Sequence, residues 1–278
     1  MKQILRDKNL DQQLLEKGYV IVPFLSDETV RELKDFYYQF HSHDLEGMYA
    51  TAHVSDISFR MKMNAFIKQK FQKSIDLYFQ DCNPLGGSYI AKGKGDKGSL
   101  VPHQDWNIVD ETAYRSFNIW VPLVDLKENN GALMIEPGSH LWDFNYRSAS
   151  IPFAYPEKEK SLWQSMLKLD MKAGEALIYD HRLIHASGIN ETDEIRLACV
   201  FGIIPNGAQM YYYHKNQDGD IEVYESNPEF FLYGNIFEGP KGLTKVNTIQ
   251  SEKRKETSST FNFLTNIKKV VNKIIFAK

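Results

Sequence analysis

Cysteine is nearly missing from this chain. Cys82 and Cys199 are the two in 278 residues, far apart and outside any C-x-x-C spacing. That excludes a disulfide framework and a thiolate zinc site, and it fits a reducing, cytoplasmic compartment. Long apolar runs are missing as well. No stretch approaches the roughly 20 apolar residues that cross a bilayer. The opening MKQILRDKNLDQQLLEKG carries charges every few positions, with no apolar core of signal-peptide length. The chain has no internal repeat, and its net charge is only -3. That small value joins two unequal parts. Residues 241–278 hold nine Lys/Arg against Glu252 and Glu256, a balance of +7, which leaves -10 on residues 1–240. A weakly acidic body argues against nucleic-acid binding and makes the basic tail a separate question.

With 42% hydrophobic and 25% charged residues, the chain has the composition of a globular protein able to bury a sizeable core. One domain spanning residues 1–240 is expected, rather than two. Its first third reads as helical with one strand. GYVIVPF is a short β-rich run, and SDETVRELKDFYYQF opens on capping residues Ser26 and Asp27 and sets Val30, Leu33, Tyr37 and Phe40 on one stripe. Ile67, Phe71, Ile75 and Tyr78 predict a second helix from Met63 to Phe79. Between residues 86 and 205 the texture changes to short β-rich runs separated by Gly, Pro and Asn: GGSYIAKG, SLVPHQDW, SFNIWVPLVDL, GALMIEPG, GEALIYD and IRLACVFGIIP. Many short strands without intervening helices indicate an all-β sandwich or barrel. The expected architecture is mainly β with helical additions: a jelly-roll core, or double-stranded β-helix, with the N-terminal helices packed on it.

One of these runs holds VPHQDW. If it is a strand, His103 and Asp105 share a face and Gln104 points away, so an imidazole and a carboxylate converge. A third ligand must come from elsewhere. GEALIYDHRLIHASG offers His181 and His185 at a strand end, and a following strand carries Arg196. Two histidines and one carboxylate on one side of a metal make the facial triad of non-haem iron, which leaves adjacent positions open. An arginine nearby supplies an always-charged fork suited to a carboxylate.

H-x-D, then NGALMIEPGSH, then HASG, then an arginine eleven positions after the distal histidine, is an order that resembles the phytanoyl-CoA dioxygenase family of iron(II)- and 2-oxoglutarate-dependent oxygenases. The resemblance runs from about Gly18 to Pro205 and includes GYVIVPFLSDETVREL. It selects His185 over His181. It implies that His103, Asp105 and His185 bind iron(II), that Arg196 pairs with the distal carboxylate of 2-oxoglutarate, and that Ser187 is its hydroxyl partner. It implies further that Trp120 lines the cosubstrate pocket and that Ser88 sits at a cosubstrate contact, and it marks Lys92 without giving it a role. The implied reaction consumes dioxygen and 2-oxoglutarate, releases succinate and CO2, and hydroxylates a C–H bond of a small organic or acyl, lipid-like metabolite. Halogenating relatives replace the triad carboxylate with a small residue. Asp105 is kept here, which favours hydroxylation, although desaturation, cyclisation and epimerisation use the same triad. Gln104, Trp106, the region of His53, and Tyr211 to Tyr213 are the expected substrate-side residues. His140 in PGSH reads as a structural hydrogen-bonder, while His41, His43, His53 and His214 have no motif around them. A reading from another class is a cupin-like jelly roll that binds a metal or small ligand without turnover.

Residues 241–260 read as a polar linker and 261–278 as a basic amphipathic helix. Phe261, Leu264, Ile267, Val271, Ile274 and Ile275 share one face, with Lys269 and Lys273 opposite. The helix either docks on the acidic body or lies peripherally on an anionic membrane. Truncation after Thr260 separates the two. A docked helix gives a lower melting temperature and unchanged sedimentation with liposomes, and an interfacial helix gives the reverse.

Overall fold

The computed structural model describes residues 3–250. The amphipathic segment 261–278 and the later half of the expected linker lie outside them. Along the chain the elements are α1 (Lys8–Lys17), β1 (Tyr19–Pro23), α2 (Asp27–Tyr38), β2 (Met48–Ala50), α3 (Ile57–Tyr78), β3 (Cys82–Lys92), β4 (Leu100–His103), β5 (Phe117–Pro122) and β6 (Leu133–Ile135). There follow α4 (Glu159–Ser165), β7 (Leu167–Lys168), β8 (Glu175–Asp180), β9 (His185–Ser187), β10 (Arg196–Pro205), β11 (Met210–Lys215), β12 (Ile221–Ser226), α5 (Pro228–Tyr233) and β13 (Thr244–Ile249). The last strand replaces the start of the expected linker: Thr244–Ile249 pairs antiparallel with β12. Among the described residues, no helix is long and apolar enough to cross a membrane.

Ten strands form the double-stranded β-helix. The larger sheet has the order β1-β8-β5-β10-β3-β2 and the smaller one β4-β9-β6-β7, with antiparallel pairing in both. Strands β11, β12 and β13 make a separate three-stranded sheet. Because side chains alternate along a strand, every central strand of the larger sheet serves two environments. Leu197, Cys199, Phe201 and Ile203 of β10, with Phe117, Ile119 and Val121 of β5, join one core beneath the N-terminal helices. The intervening Ala198, Trp120, Leu177 and Tyr179 belong to a second core between the sheets. Two-residue periodicity thereby decides which side chains reach the interior of the β-helix.

The helices form where the sequence supplies caps and an apolar stripe. Ser26 Oγ accepts the Thr29 N–H (3.3 Å) at the start of α2. The Asp56 carboxylate accepts the Phe59 N–H (3.1 Å) and starts α3 six residues before the expected Met63. That first turn is only half-buried, with Ile57 and Ser58 exposed, and it does not extend the fully buried stripe, so periodicity alone missed it. Further along α3, Met63, Ile67, Phe71 and Ile75 are buried against the larger sheet. The Phe71 ring lies 5.2 Å from that of Phe24 and 5.6 Å from that of Phe201. Close approach of α3 to β3 is possible at Gly86, where φ is +148° and a Cβ would sit 2.4 Å from Asn64 Oδ1. Phe71 is fully buried. Phe71→Ala should lower the unfolding free energy by about 3–5 kcal/mol, read from urea denaturation, and a loss under about 1 kcal/mol would contradict this view of the helix-to-sheet core.

Candidate metal centre

Strands β4 and β9 meet at the register pair His103↔His185, which closes their short ladder. Asp105 is therefore not a strand residue. The expected common strand face of His103 and Asp105 is corrected by this pairing: β4 stops at His103 because its partner β9 begins at His185. The chain turns irregularly through Gln104 and still returns the Asp105 carboxylate to the imidazoles. One ligand atom from each of His103, Asp105 and His185 lies within 4.8 Å of the others. Asp105 Oδ1 is 3.9 Å from His185 Nε2. His103 donates Nδ1–H to the Val101 carbonyl (2.8 Å) and His185 donates Nδ1–H to the Leu183 carbonyl (3.0 Å). With Nδ1 carrying the proton in both rings, each Nε2 keeps a free lone pair.

Electrostatics favour the neutral form of His103 and the ionised form of Asp105, the states in which each can hold a metal. Removal from water, aided by the adjacent His185, lowers His103 to about 4. Burial alone would raise Asp105, but the surrounding imidazoles of His185, His181 and His103 and the bond from Asn118 hold it at about 2. Asn118 Nδ2 donates to Asp105 Oδ2 at 2.8 Å and lies 3.4 Å from the Tyr179 hydroxyl. Sequence reading named neither Asn118 nor Tyr179. The signal was there for Asn118, which shares a strand face with Trp120 in SFNIW. His181 stands outside the cluster: its Nδ1 is 3.0 Å from Ser116 Oγ and 3.3 Å from the Trp106 carbonyl.

The three ligands open into a cavity of about 270 Å3 that is also lined by Ser88, Trp120, Ser187 and Arg196. Arg196 is 2% exposed, and its Nε and Nη1 have no hydrogen-bond partner. No carboxylate among the described residues forms an ion pair with it. Burial brings its pKa down to about 10, and its guanidinium carbon lies 5.3 Å from the centre of the Trp120 ring. Arg196 pairs across strands with Lys92, itself wholly buried. Burial and the neighbouring Arg196 push Lys92 down to about 6. Its Nζ donates to Ser187 Oγ (2.6 Å) and to the Gly188 carbonyl (2.7 Å), so the hydroxyl expected to face a cosubstrate is already engaged by a lysine. The cavity thus has a metal-ligating end and a basic end.

Its remaining wall comes from a distant part of the chain. Phe231, Leu232 and Tyr233 of α5 line it, together with Thr51, Arg60 and Asn64. Arg60 fastens α5 in place by donating to the carbonyls of Tyr233 (2.6 Å), Gly234 (3.3 Å) and Ala52 (3.2 Å), and Asn64 Nδ2 reaches the Tyr233 hydroxyl at 2.6 Å. None of Tyr211, Tyr212 and Tyr213 lines the cavity. The hydroxyls of Tyr212 and Tyr213 are spent on the carbonyls of Ile236 and Val109. Gln104 is turned away and donates to the Arg182 carbonyl (2.6 Å). Trp106 and His53 themselves pack on Phe237, at ring separations of 5.5 and 5.4 Å, while Thr51 and Ala52 bring the expected region of His53 to the cavity wall. His140 donates Nε2–H to the Leu15 carbonyl (3.0 Å), a structural bond.

Comparison with known proteins finds the sequence model described as Phytanoyl-CoA dioxygenase (PhyH) matching residues 14–198. Dioxygenase FUM3 of Gibberella moniliformis is 32% identical over 119 residues, covering 39% of this chain and 34% of that protein. Phytanoyl-CoA dioxygenase domain-containing protein 1 of Danio rerio is 28% identical over 128 residues, covering 43% and 44%. The matched segments therefore span less than half of these relatives. Among solved structures, the non-haem alpha-ketoglutarate-dependent carbocyclase SnoK from nogalamycin biosynthesis has the same fold, with a TM-score of 0.57 at 18% identity over 77% of this chain and 89% of SnoK.

Proposed function

Because this chain belongs to the phytanoyl-CoA dioxygenase family, we propose that it is an iron(II)- and 2-oxoglutarate-dependent oxygenase that uses dioxygen to hydroxylate a C–H bond of a small organic molecule. One observation carries the reading: a cavity with three convergent ligand atoms at one end and, at the other, a buried guanidinium with two unpaired nitrogens. The donor set of two imidazoles and a carboxylate suits iron(II) and leaves adjacent positions open. The unpaired N–H groups of Arg196 suit a carboxylate that accepts two bonds from a planar fork. Both groups fit the residues.

In this reading His103 Nε2, the Asp105 carboxylate and His185 Nε2 hold the metal, and Arg196 holds the far carboxylate of 2-oxoglutarate. Bound together, metal, cosubstrate and dioxygen supply the oxidising power for an unactivated C–H bond, with succinate and CO2 released. The protein's part is placement. The Val101 and Leu183 carbonyls fix the two imidazole tautomers, and Asn118 orients the Asp105 carboxylate. Trp120 covers the guanidinium and keeps water from it. Lys92, tied to Ser187, adds a second basic group at that end. Because Asp105 is present, the centre keeps its full set of ligands, and hydroxylation is favoured over halogenation.

The substrate enters on the side closed by α5, where Phe231, Leu232 and Tyr233 present an apolar wall with Asn64 and Thr51 as polar points. At about 270 Å3 the cavity is at the small end of ligand pockets, which run to about 300–1,000 Å3. A compact metabolite with an apolar face fits it better than a bulky one.

The test supplies iron(II), 2-oxoglutarate and ascorbate, with and without cell extract, and measures succinate. Wild type and His181→Ala should form it, and His185→Ala should not. An active His185→Ala beside a dead His181→Ala would overturn the ligand assignment. Tight metal binding with no succinate from any variant would favour a jelly roll that binds without turnover.

A further inference from the structure

Asp105 lacks the strand pairing that fixes His103 and His185, so its position has to come from somewhere else. We propose that Arg147, braced by Glu111, is a positioning residue that locks the backbone at Asp105 and thereby sets the carboxylate among the imidazoles. The proposal rests on the metal-centre reading above and adds residues that neither the motif nor the cavity lining includes.

The bonds run in one connected set. Arg147 donates Nε–H to the Asp105 carbonyl at 2.6 Å. The same guanidinium donates through Nη2 to Glu111 Oε1 at 2.6 Å and through Nη1 to the Asn145 carbonyl at 3.0 Å. Two further bonds join the loops on either side: Arg147 N–H donates to Asn107 Oδ1, and Asn107 N–H donates to the Arg147 carbonyl at 3.2 Å. Next to Asp105 on the other side, Gln104 is held between the Arg182 carbonyl (2.6 Å) and the Asn145 amide (3.3 Å). The segment 104–107 is thus stitched to 145–147 at its backbone while Asn118 holds the carboxylate itself. The Arg147 and Glu111 side chains are 6% and 1% exposed.

Stability alone is a weak explanation for such a pair. Removing two charges from water offsets much of their attraction, and apolar residues of similar size often do as well. What a buried guanidinium provides is direction: a rigid fork bonds three acceptors at fixed angles, which a lysine ammonium cannot reproduce. Here one acceptor is the peptide carbonyl of a triad residue. Outer partners of metal ligands commonly change metal affinity by about 10–100-fold when altered.

The experiment titrates Co(II) alone into the full chain by competition with a fluorescent chelator, and follows melting of the same samples. Arg147→Lys should weaken Co(II) binding by about tenfold or more while the sample remains folded by circular dichroism. Glu111→Gln, which keeps the size and an acceptor oxygen but removes the charge that braces the fork, should weaken it in the same direction by less, and it serves as the test if Arg147→Lys does not fold. Phe71→Leu, remote from the centre, should lower the melting temperature with no change in Co(II) affinity. If the Arg147 and Glu111 variants melt lower yet bind Co(II) as wild type does, the pair is purely structural and the proposal is overturned. His185→Ala separates this from failure of the metal centre itself: should it bind Co(II) as tightly as wild type, the centre is wrong, whereas a loss there with no effect at Arg147 sinks only the positioning role.

Discussion

A buried guanidinium that pairs with no carboxylate among the described residues is the constraint on which this structure turns. Burying an unpaired charge costs several kcal/mol even after relaxation, and Arg196 is 2% exposed with two nitrogens lacking partners. Its cross-strand neighbour Lys92 is fully buried as well, and burial beside Arg196 pushes its pKa down to about 6, so it brings no compensating negative charge to the guanidinium. Stability gives no reason to keep such a site, and the proposed function supplies one: an anion held by Arg196, in the same cavity as the candidate ligand atoms of His103, Asp105 and His185.

The β-helix makes that arrangement available through alternation. On β10 the odd residues Leu197, Cys199, Phe201 and Ile203 feed the core under the helices, while Arg196, Val200 and Gly202 line the cavity. On β3, Tyr89 and Ala91 feed that core while Ser88 and Ile90 line the cavity. The apolar side of each strand anchors the sheet to α2 and α3, which lets the other side carry polar and charged groups without destabilising the fold. The candidate ligands at the ends of β4 and β9, and the buried guanidinium on β10, can then be set apart by sheet geometry. Loops are left with what geometry cannot do, and two arginine-centred clamps restrain them: the half-buried Arg60 holds α5, and the buried Arg147 holds the segment bearing Asp105.

Much of this was legible in the sequence, for reasons that are local. Ser26 capping, the alternation in SFNIWVPL and the i, i+4 stripe of Ile67, Phe71 and Ile75 are short-range signals, and the elements they predict are present. In the spacing from H-x-D to HASG to Arg196, His103, His185 and Arg196 each sit at a strand end, where side-chain direction follows from position. What was not legible depends on distant pairing. Asp105 left its strand because β9 supplies no further partner beyond His185. The bonds from Arg60 to α5 span more than 170 residues, and nothing near FRMKMN announces them. Thr244–Ile249 reads as polar linker by composition, since it is an edge strand whose side chains are nearly all exposed and only β12 defines it. Tyr211 to Tyr213 drew attention by being aromatic, yet they lie on β11, and the hydroxyls of Tyr212 and Tyr213 tie that strand to the Ile236 and Val109 carbonyls rather than facing the cavity.

The most direct measurement of the central claim is calorimetric titration of 2-oxoglutarate into the Co(II)-loaded protein, comparing wild type with Arg196→Lys. The lysine keeps the charge and loses the fork, so affinity for 2-oxoglutarate should fall at least tenfold, about 1.4 kcal/mol, while Co(II) affinity is unchanged. Equal affinity of the two proteins for 2-oxoglutarate would contradict the account, because the buried guanidinium would then have no part in holding the anion.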